Sequence, residues 1–284
     1  METLERASEV RQRVRQWKQA GERVALVPTM GNLHEAHLAL VDEARAQADR
    51  VVVSIFVNPA QFGPGEDFET YPRTPEEDSQ ALRERGADLL FMPSVEEMYP
   101  RRNLAWVEVE ALDRHLCGAS RPGHFRGVCT VVTKLFHMVE PDLAWFGEKD
   151  YQQLAILRRM TEDLCFPVEI RGVATVREPD GLAMSSRNRY LSKSERSLAP
   201  QLYRHLCQAR EAILEGDRNY EKIARNAMKS LEKSGFAPDY FEIANAGTLA
   251  PATPEDHELV IAAAARLGTT RLIDNVAVTI VRSP

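Results

Sequence analysis

Two histidines three residues apart, His34 and His37, stand where a helix is expected to begin, and that spacing puts both rings on one face. A helix start offers unpaired N–H groups and the positive end of its dipole, so phosphate is the natural ligand, with the imidazoles as added donors. Taken alone, the pair fits at least as well one surface histidine and one half-buried, satisfied one. Zinc is the poorer reading: a metalloprotease helix needs its histidines four apart, and here Glu35 follows the first histidine but the spacing fails. Asn58 and Gln61 are amides at the end of an apolar run, suited to orienting hydroxyl and carboxylate groups without adding charge. Asn58-Pro59 equally fits a simple chain reversal. Lys149, in Gly147-Glu148-Lys149-Asp150, sits near a helix start, where a cation opposes the dipole unless an anion lies close. The alternative is a solvated lysine paired with Glu148 or Asp150. Met184-Ser185-Ser186-Arg187 sets two hydroxyls before a guanidinium, a combination that wraps phosphate oxygens or caps a helix. The segment Arg121 to Arg126 adds basic character, or is a surface loop.

The elements around these residues alternate. Leu4, Ala7, Val10, Val14 and Trp17 recur at helical spacing and predict an opening helix that ends at Gly21. Val24 to Val27 predicts a strand, the residues around Leu38 to Ala44 a helix, and the β-branched run Val51 to Val57 a strand buried on both faces. Thr74, Pro75 and Glu77 read as a capping box with proline at the first helical position. Strands are expected at 88–92, 142–146 and 168–173, with a helix over about 148–164. This is an α/β pattern: a doubly wound, Rossmann-like parallel sheet whose ligands bind outside the carboxyl ends of its strands. Past the turn near residue 177, helices at about 194–214 and 219–234 precede short strands at 240–244, 259–264, 271–273 and 276–281. Two domains are therefore expected: 1–176, Rossmann-like, and 177–284, a smaller α+β domain, packed closely and sharing a cleft.

Composition excludes other classes. With 44% hydrophobic and 27% charged residues among 284, neither a disordered nor a fibrous chain fits. A formal charge of −6 removes net attraction to nucleic acid. No apolar stretch approaches the roughly 18 residues that cross a bilayer, and the charged start does not read as a signal peptide, so a cytoplasmic protein is expected. Cys117, Cys129, Cys165 and Cys207 make no C-x-x-C pair, which argues against a zinc knuckle or a disulfide framework.

Five ordered stretches, PTMGNLHEAH (28–37), FVNPAQF (56–62), RPGHFRGV (121–128), FGEKDYQQL (146–154) and MSSRNRYLS (184–192), together resemble the nucleotidyltransferase-like adenylate-forming enzymes. Among those the chain is similar to the pantothenate synthetase (pantoate–β-alanine ligase) family. The first stretch looks like a HIGH-type signature and the last like a KMSKS-type loop. The resemblance implies a nucleotidyltransferase (HUP-type) sheet and an ATP-dependent condensation of (R)-pantoate with β-alanine through pantoyl adenylate, releasing pyrophosphate and AMP, in the pathway to coenzyme A.

It further implies that ATP is held by Met30, Gly31, Asn32, Leu33, His34, Glu35, Ala36 and His37, by Gly147, Glu148, Lys149 and Asp150, and by Val176, Met184, Ser185, Ser186 and Arg187. His37 is implied as proton donor, with His34, Lys149 and Arg187 completing the catalytic set. Gln61, Gln153 and Asn58 are implied on the substrate side, Gln61 meeting β-alanine as well. Mg2+ accompanies ATP in such enzymes, but nothing singles out Glu77 or Asp78 as its ligand, and no protein metal site is assigned. A homodimer is implied, with the second domain as a lid. Ala36 departs from the family's usual glycine, and its methyl is expected to weaken ATP binding or shift the adenine slightly. Two alternatives remain: a relative that transfers AMP or CMP to a phosphorylated acceptor, and a nucleotide-binding module without catalysis, for which Ala36 would be the defect.

Overall fold

The protein is described by a computed structural model over residues 1–281. Its chain divides into two compact units: Met1–Val109, Arg121–Glu148 and Ile156–Ala174 form the first, and Glu110–Ser120, Lys149–Ala155 and the chain from Thr175 onward form the second. The sequence places one boundary between 176 and 177, whereas the second unit also takes in two earlier segments. Gln152 shows why: its buried amide donates to the carbonyls of Leu112 and His115, both at 2.8 Å, and ties 149–155 to 110–120.

The first unit is a six-stranded sheet of β1 (Glu2–Leu4), β2 (Val24–Thr29), β3 (Arg50–Ile55), β4 (Leu89–Phe91), β5 (Leu143–Gly147) and β6 (Glu169–Val173). Every pairing is parallel, in the order β1-β4-β3-β2-β5-β6. From β2 the chain winds outward to β3 and β4, and it returns to β2's other side with β5 and β6. The β2/β5 pair, in register at Ala25–Leu143 and Leu26–Ala144, is thus the switch point where such sheets open a crevice. Alternate strand residues face opposite layers. Ala25, Val27, Val51, Val53, Leu90, Leu143 and Trp145 pack with Leu38, Leu40, Val41 and Ala44 of the helix Glu35–Gln47. Val10 and Val14 of the helix Ala7–Gln19 are buried, as are Phe125, Val128, Val132 and Phe136 of the helix His124–Val139.

Two local readings change. Leu4 belongs to β1, an edge strand paired with β4, and the opening helix starts only at Ala7. The helix Pro75–Glu84 has proline in its first turn as expected, but Thr74 makes no capping bond. Its hydroxyl donates instead to Asp78 Oδ1 at 3.1 Å, because that carboxylate is committed elsewhere in the fold.

The second unit carries an antiparallel sheet of β7 (Ala237–Asn245), β8 (Glu258–Leu267) and β9 (Thr270–Thr279), in that order. Leu202, Leu206 and Ile213 of the helix Gln201–Leu214, with Ile223 and Leu231 of the helix Tyr220–Lys233, cover Phe241, Ile261, Leu272 and Val276. The single helix expected over 194–214 is two, Lys193–Leu198 and Gln201–Leu214, because Pro200 has no N–H to continue the ladder. The two strands expected at 271–273 and 276–281 are one, β9, running through the polar pair Asp274-Asn275. Among the described residues no helix is long and apolar enough to cross a membrane, and none of the four cysteines is in a disulfide.

Candidate functional site

In the first unit the expected residues gather at the carboxyl ends of β2 and β3. β2 ends at Thr29, whose hydroxyl donates to the Ser54 carbonyl at 2.9 Å and receives the Gly31 N–H at 3.2 Å. Gly31 (φ +80°) and Asn32 (φ +51°) then turn through the left-handed region. A side chain at Gly31 would bring its Cβ to 3.0 Å from both Asp78 Oδ2 and Ile55 Cγ2, so glycine is required there by φ and by space. Asp78 holds this turn: it is 3% exposed, and its two oxygens accept the Asn32 N–H at 2.8 Å and the Leu33 N–H at 2.7 Å. A carboxylate so committed is a clamp on main chain. Among the described residues no three His, Cys, Asp or Glu side chains converge as a metal cage.

The clamp delivers His34 as the last extended residue before the helix Glu35–Gln47, with His37 one turn in. Their rings lie 4.1 Å apart, tilted by 39°. The His34 N–H donates to His37 Nδ1 at 3.4 Å, so in the neutral ring the His37 proton sits on Nε2. Ala36 lies in the first helical turn on ordinary helical backbone, where no glycine is required by conformation.

Beyond β3, Asn58 caps the short turn Pro59–Gln61. It is 1% exposed and its amide is fully used: Oδ1 accepts Tyr99 OH at 2.8 Å and the Ala60 N–H at 3.3 Å. Nδ2 donates to Gln61 Oε1 at 3.0 Å and to the Gly127 carbonyl at 3.2 Å. Asn58 thus orients Gln61, whose own NH2 reaches Met30 Sδ at 3.4 Å. Met30, Gln61 and Asn58 form one bonded group beside the histidine turn. Burial leaves the Tyr99 phenol pushed up to about 12, a neutral donor to Asn58.

In the second unit the turn Glu148–Asp150 leads from β5 into the helix Tyr151–Asp163, with Gly147 and Glu148 still in the first unit. Lys149 Nζ lies 3.5 Å from Asp150, the neighbour expected to pair with it. Its main chain is fixed from β9, where Asn275 Nδ2 donates to the Lys149 carbonyl at 2.8 Å. Next to Asn275, Asp274 accepts a two-point contact from Arg177, at 2.6 and 3.0 Å, and the Asn275 N–H at 2.8 Å. Burial pushes the Asp274 carboxyl up, while Arg177 and the nearby charge of Lys149 work against that rise. Arg177 opens a hairpin: Met184 N–H bonds to the Val176 carbonyl at 3.0 Å, and Arg177 bridges Ala183. One place on β9 therefore anchors both the Lys149 turn and the strand that delivers Met184. Ser185 then caps the short helix Ser186–Tyr190 by accepting the Arg187 N–H at 3.3 Å, with Ser186 buried. Of the neighbouring glutamines, Gln152 is buried and structural, whereas Gln153 is half-buried.

The supports were less visible in the sequence than the groups they support. In the sequence Asp78 appears only beside Glu77 as an unassigned Mg2+ candidate, and Asp274-Asn275 reads as a break between strands. The available signal was a charged residue inside an otherwise apolar strand, which calls for a partner of opposite charge.

The model of the family described as Pantoate-beta-alanine ligase matches residues 2–277. The chain belongs to the pantoate–beta-alanine ligase family. A relative from Alcanivorax borkumensis called Pantothenate synthetase is 61% identical over 283 residues, 99% of each chain. Among solved structures of this ligase family, pantothenate synthetase from Thermus thermophilus has a TM-score of 0.91 at 48% identity, covering 97% of this chain and 99% of that one. The pantoate-beta-alanine ligase of Francisella tularensis, complexed with beta-gamma ATP and beta-alanine, has a TM-score of 0.80 at 32% identity, covering 97% of each. The ligase family accordingly accounts for both units, and the expected doubly wound fold is the fold observed.

Proposed function

We propose that the chain joins (R)-pantoate to β-alanine at the expense of ATP. In the first step a pantoate carboxylate oxygen attacks the α-phosphorus in line and pyrophosphate leaves with the bridging oxygen. In the second, the β-alanine nitrogen attacks the acyl carbon, AMP leaves, and the nitrogen loses a proton as the amide forms. No protein nucleophile is needed, so catalysis is positioning and neutralisation of charge on phosphate oxygens. The observation that carries this reading is the His34/His37 pair at the carboxyl end of β2, beside the Gln61 amide, in a chain matched by the family over residues 2–277.

The roles follow from donor chemistry. His37 gives a hydrogen bond from Nε2–H to a phosphate oxygen when its ring is neutral and a proton only when the ring is an imidazolium, and His34 supports it. Gly31, Asn32, Leu33, Glu35 and Ala36 supply the surrounding nucleotide surface with Met30, Gly147, Glu148 and Asp150. Lys149 and Arg187 carry the charge that offsets the departing pyrophosphate, with Ser185 and Ser186 as hydroxyl donors and Val176 and Met184 lining the nucleotide. Gln61 and Gln153 bind pantoate, Gln61 also meets β-alanine, and Asn58 holds Gln61 in place. Mg2+ enters on the phosphates of its nucleotide, as it commonly does where a protein offers no cage of its own. The enzyme works in the cytoplasm as a homodimer, and sedimentation at twice the chain mass checks the dimer.

Isotope transfer tests the chemistry. Pantoate labelled with 18O in its carboxylate should deliver one labelled oxygen to AMP for each pantothenate made. Label appearing in inorganic phosphate, or AMP without label, would overturn the acyl-adenylate route.

A further inference from the structure

Gln61 is held at its side chain by Asn58, but its main chain is held by a second, separate set of groups. Glu66 accepts Arg121 Nε at 2.7 Å and Nη2 at 2.6 Å, and also the Gly63 N–H at 3.2 Å. Arg121 Nη1 lies 2.9 Å from His124 Nε2, and His124 Nδ1 lies 2.8 Å from the Gln61 carbonyl oxygen. These contacts have only one direction. A guanidinium has no acceptor, so His124 Nε2 must accept, the ring is neutral, and its proton sits on Nδ1 to be given to Gln61. The surroundings leave little slack: a Cβ at Gly127 would lie 2.2 Å from the Ala60 carbonyl oxygen and 2.7 Å from Gln61 Cα, so the 60–61 main chain already rests on the helix His124–Val139.

We infer that Glu66, Arg121 and His124 are positioning residues for the carboxylic-acid substrate: their one-way relay locks His124 as the Nδ1–H tautomer and fixes the Gln61 main chain from which the substrate-binding amide projects. The inference rests on the proposed role of Gln61 and extends it to three residues that act on that amide through its main chain. It also explains why a loop bearing Gly63, Pro64 and Gly65 can hold an amide in one place: the Glu66–Arg121 pair closes it across 55 positions of sequence. Without the His124 bond, the Gln61 main chain keeps only its local turn.

The tautomer is read first, in the wild-type chain and without activity, from the imidazole 15N shifts of His124 at neutral pH. A protonated Nδ1 with an unprotonated Nε2 is expected, and the reverse tautomer overturns the relay. Pantoate-dependent pyrophosphate exchange is then compared in His124→Phe, His124→Asn and Glu66→Gln. His124→Phe should raise the KM for pantoate about tenfold, as expected for one hydrogen bond of about 1.4 kcal/mol, with the KM for ATP nearly unchanged. His124→Asn, whose amide can replace the Nδ1 donor, should recover most of the loss. Glu66→Gln should raise the pantoate KM by a few-fold and serves where the phenylalanine variant does not fold. Equal changes in both KM values, or none in pantoate KM, would overturn the inference. No exchange in wild type would instead sink the functional reading, with the tautomer still deciding the relay.

Discussion

The two halves of the proposed machinery are held by different means. In the first unit two of the expected groups are backed by side chains far away in sequence: Asp78 holds the turn before His34 from 45 and 46 positions on, and His124 holds the Gln61 main chain from 63. In the second unit the 184–187 loop carries short-range bonds, such as Ser185 to the Arg187 N–H and Asn188 to the Ala183 carbonyl at 3.0 Å. The hairpin leading into it is tied at long range by Arg177 to Asp274 on β9, and the Lys149 turn by Asn275. A site clamped through buried main-chain contacts spends little on ordering when substrate arrives, whereas a loop held locally can reshape around phosphate.

The sharpest way to break this comparison is at the Arg177–Asp274 pair. Asp274→Ala leaves Arg177 without its buried partner and should cost about 3–5 kcal/mol, measured by urea unfolding. A cost near zero would show that the second unit needs no such anchor. Lys149→Ala should leave stability almost untouched but slow pantoate-dependent exchange by about a hundred- to a thousandfold, as for loss of one preorganised donor of about 2.7–4 kcal/mol. Near-normal exchange would remove Lys149 from the chemistry.

In the first unit, support and chemistry should fail together. Asp78→Ala strands the Asn32 and Leu33 N–H groups and should cost about 2–4 kcal/mol with a parallel loss of exchange. The Mg2+ concentration for half-maximal exchange should stay unchanged, since Asp78 holds main chain; a large shift would make it a metal ligand. Glu66 adds a pH test. Burial would raise its carboxyl, but the Arg121 guanidinium and the Gly63 N–H more than offset that and hold it at about 2. A depressed carboxyl stabilises the fold above its unfolded value of about 4.5, and that contribution is lost as pH falls toward about 2. The stability gap between wild type and Glu66→Gln should therefore be full at neutral pH and close between about 4.5 and 2. The smallest effect is expected at Ala36→Gly, which should cost up to about 1 kcal/mol of helix stability. An unchanged ATP KM there would show that the methyl is harmless to the nucleotide.

The alternation of buried strands and amphipathic helices was legible because both periods are local, and so were the histidine, amide and Ser-Ser-Arg motifs. The clamps were not, because a carboxylate such as Asp78 announces nothing until the fold brings the turn at 31–33 onto it. Thr74 misled for the same reason: its hydroxyl fits a capping box in isolation, yet Asp78 takes it. Asp274-Asn275 looked like a strand break because their partner Arg177 lies 97 positions away. The earlier segments of the second unit escaped likewise, since Gln152 and the carbonyls it serves meet only after folding.

The most direct test of the central claim is pyrophosphate–ATP exchange in the presence of Mg2+, with and without (R)-pantoate and before any β-alanine is added. Exchange that depends on pantoate and needs no amine is the predicted result. Exchange without pantoate, or none with pantoate despite bound ATP, would contradict the acyl-adenylate account.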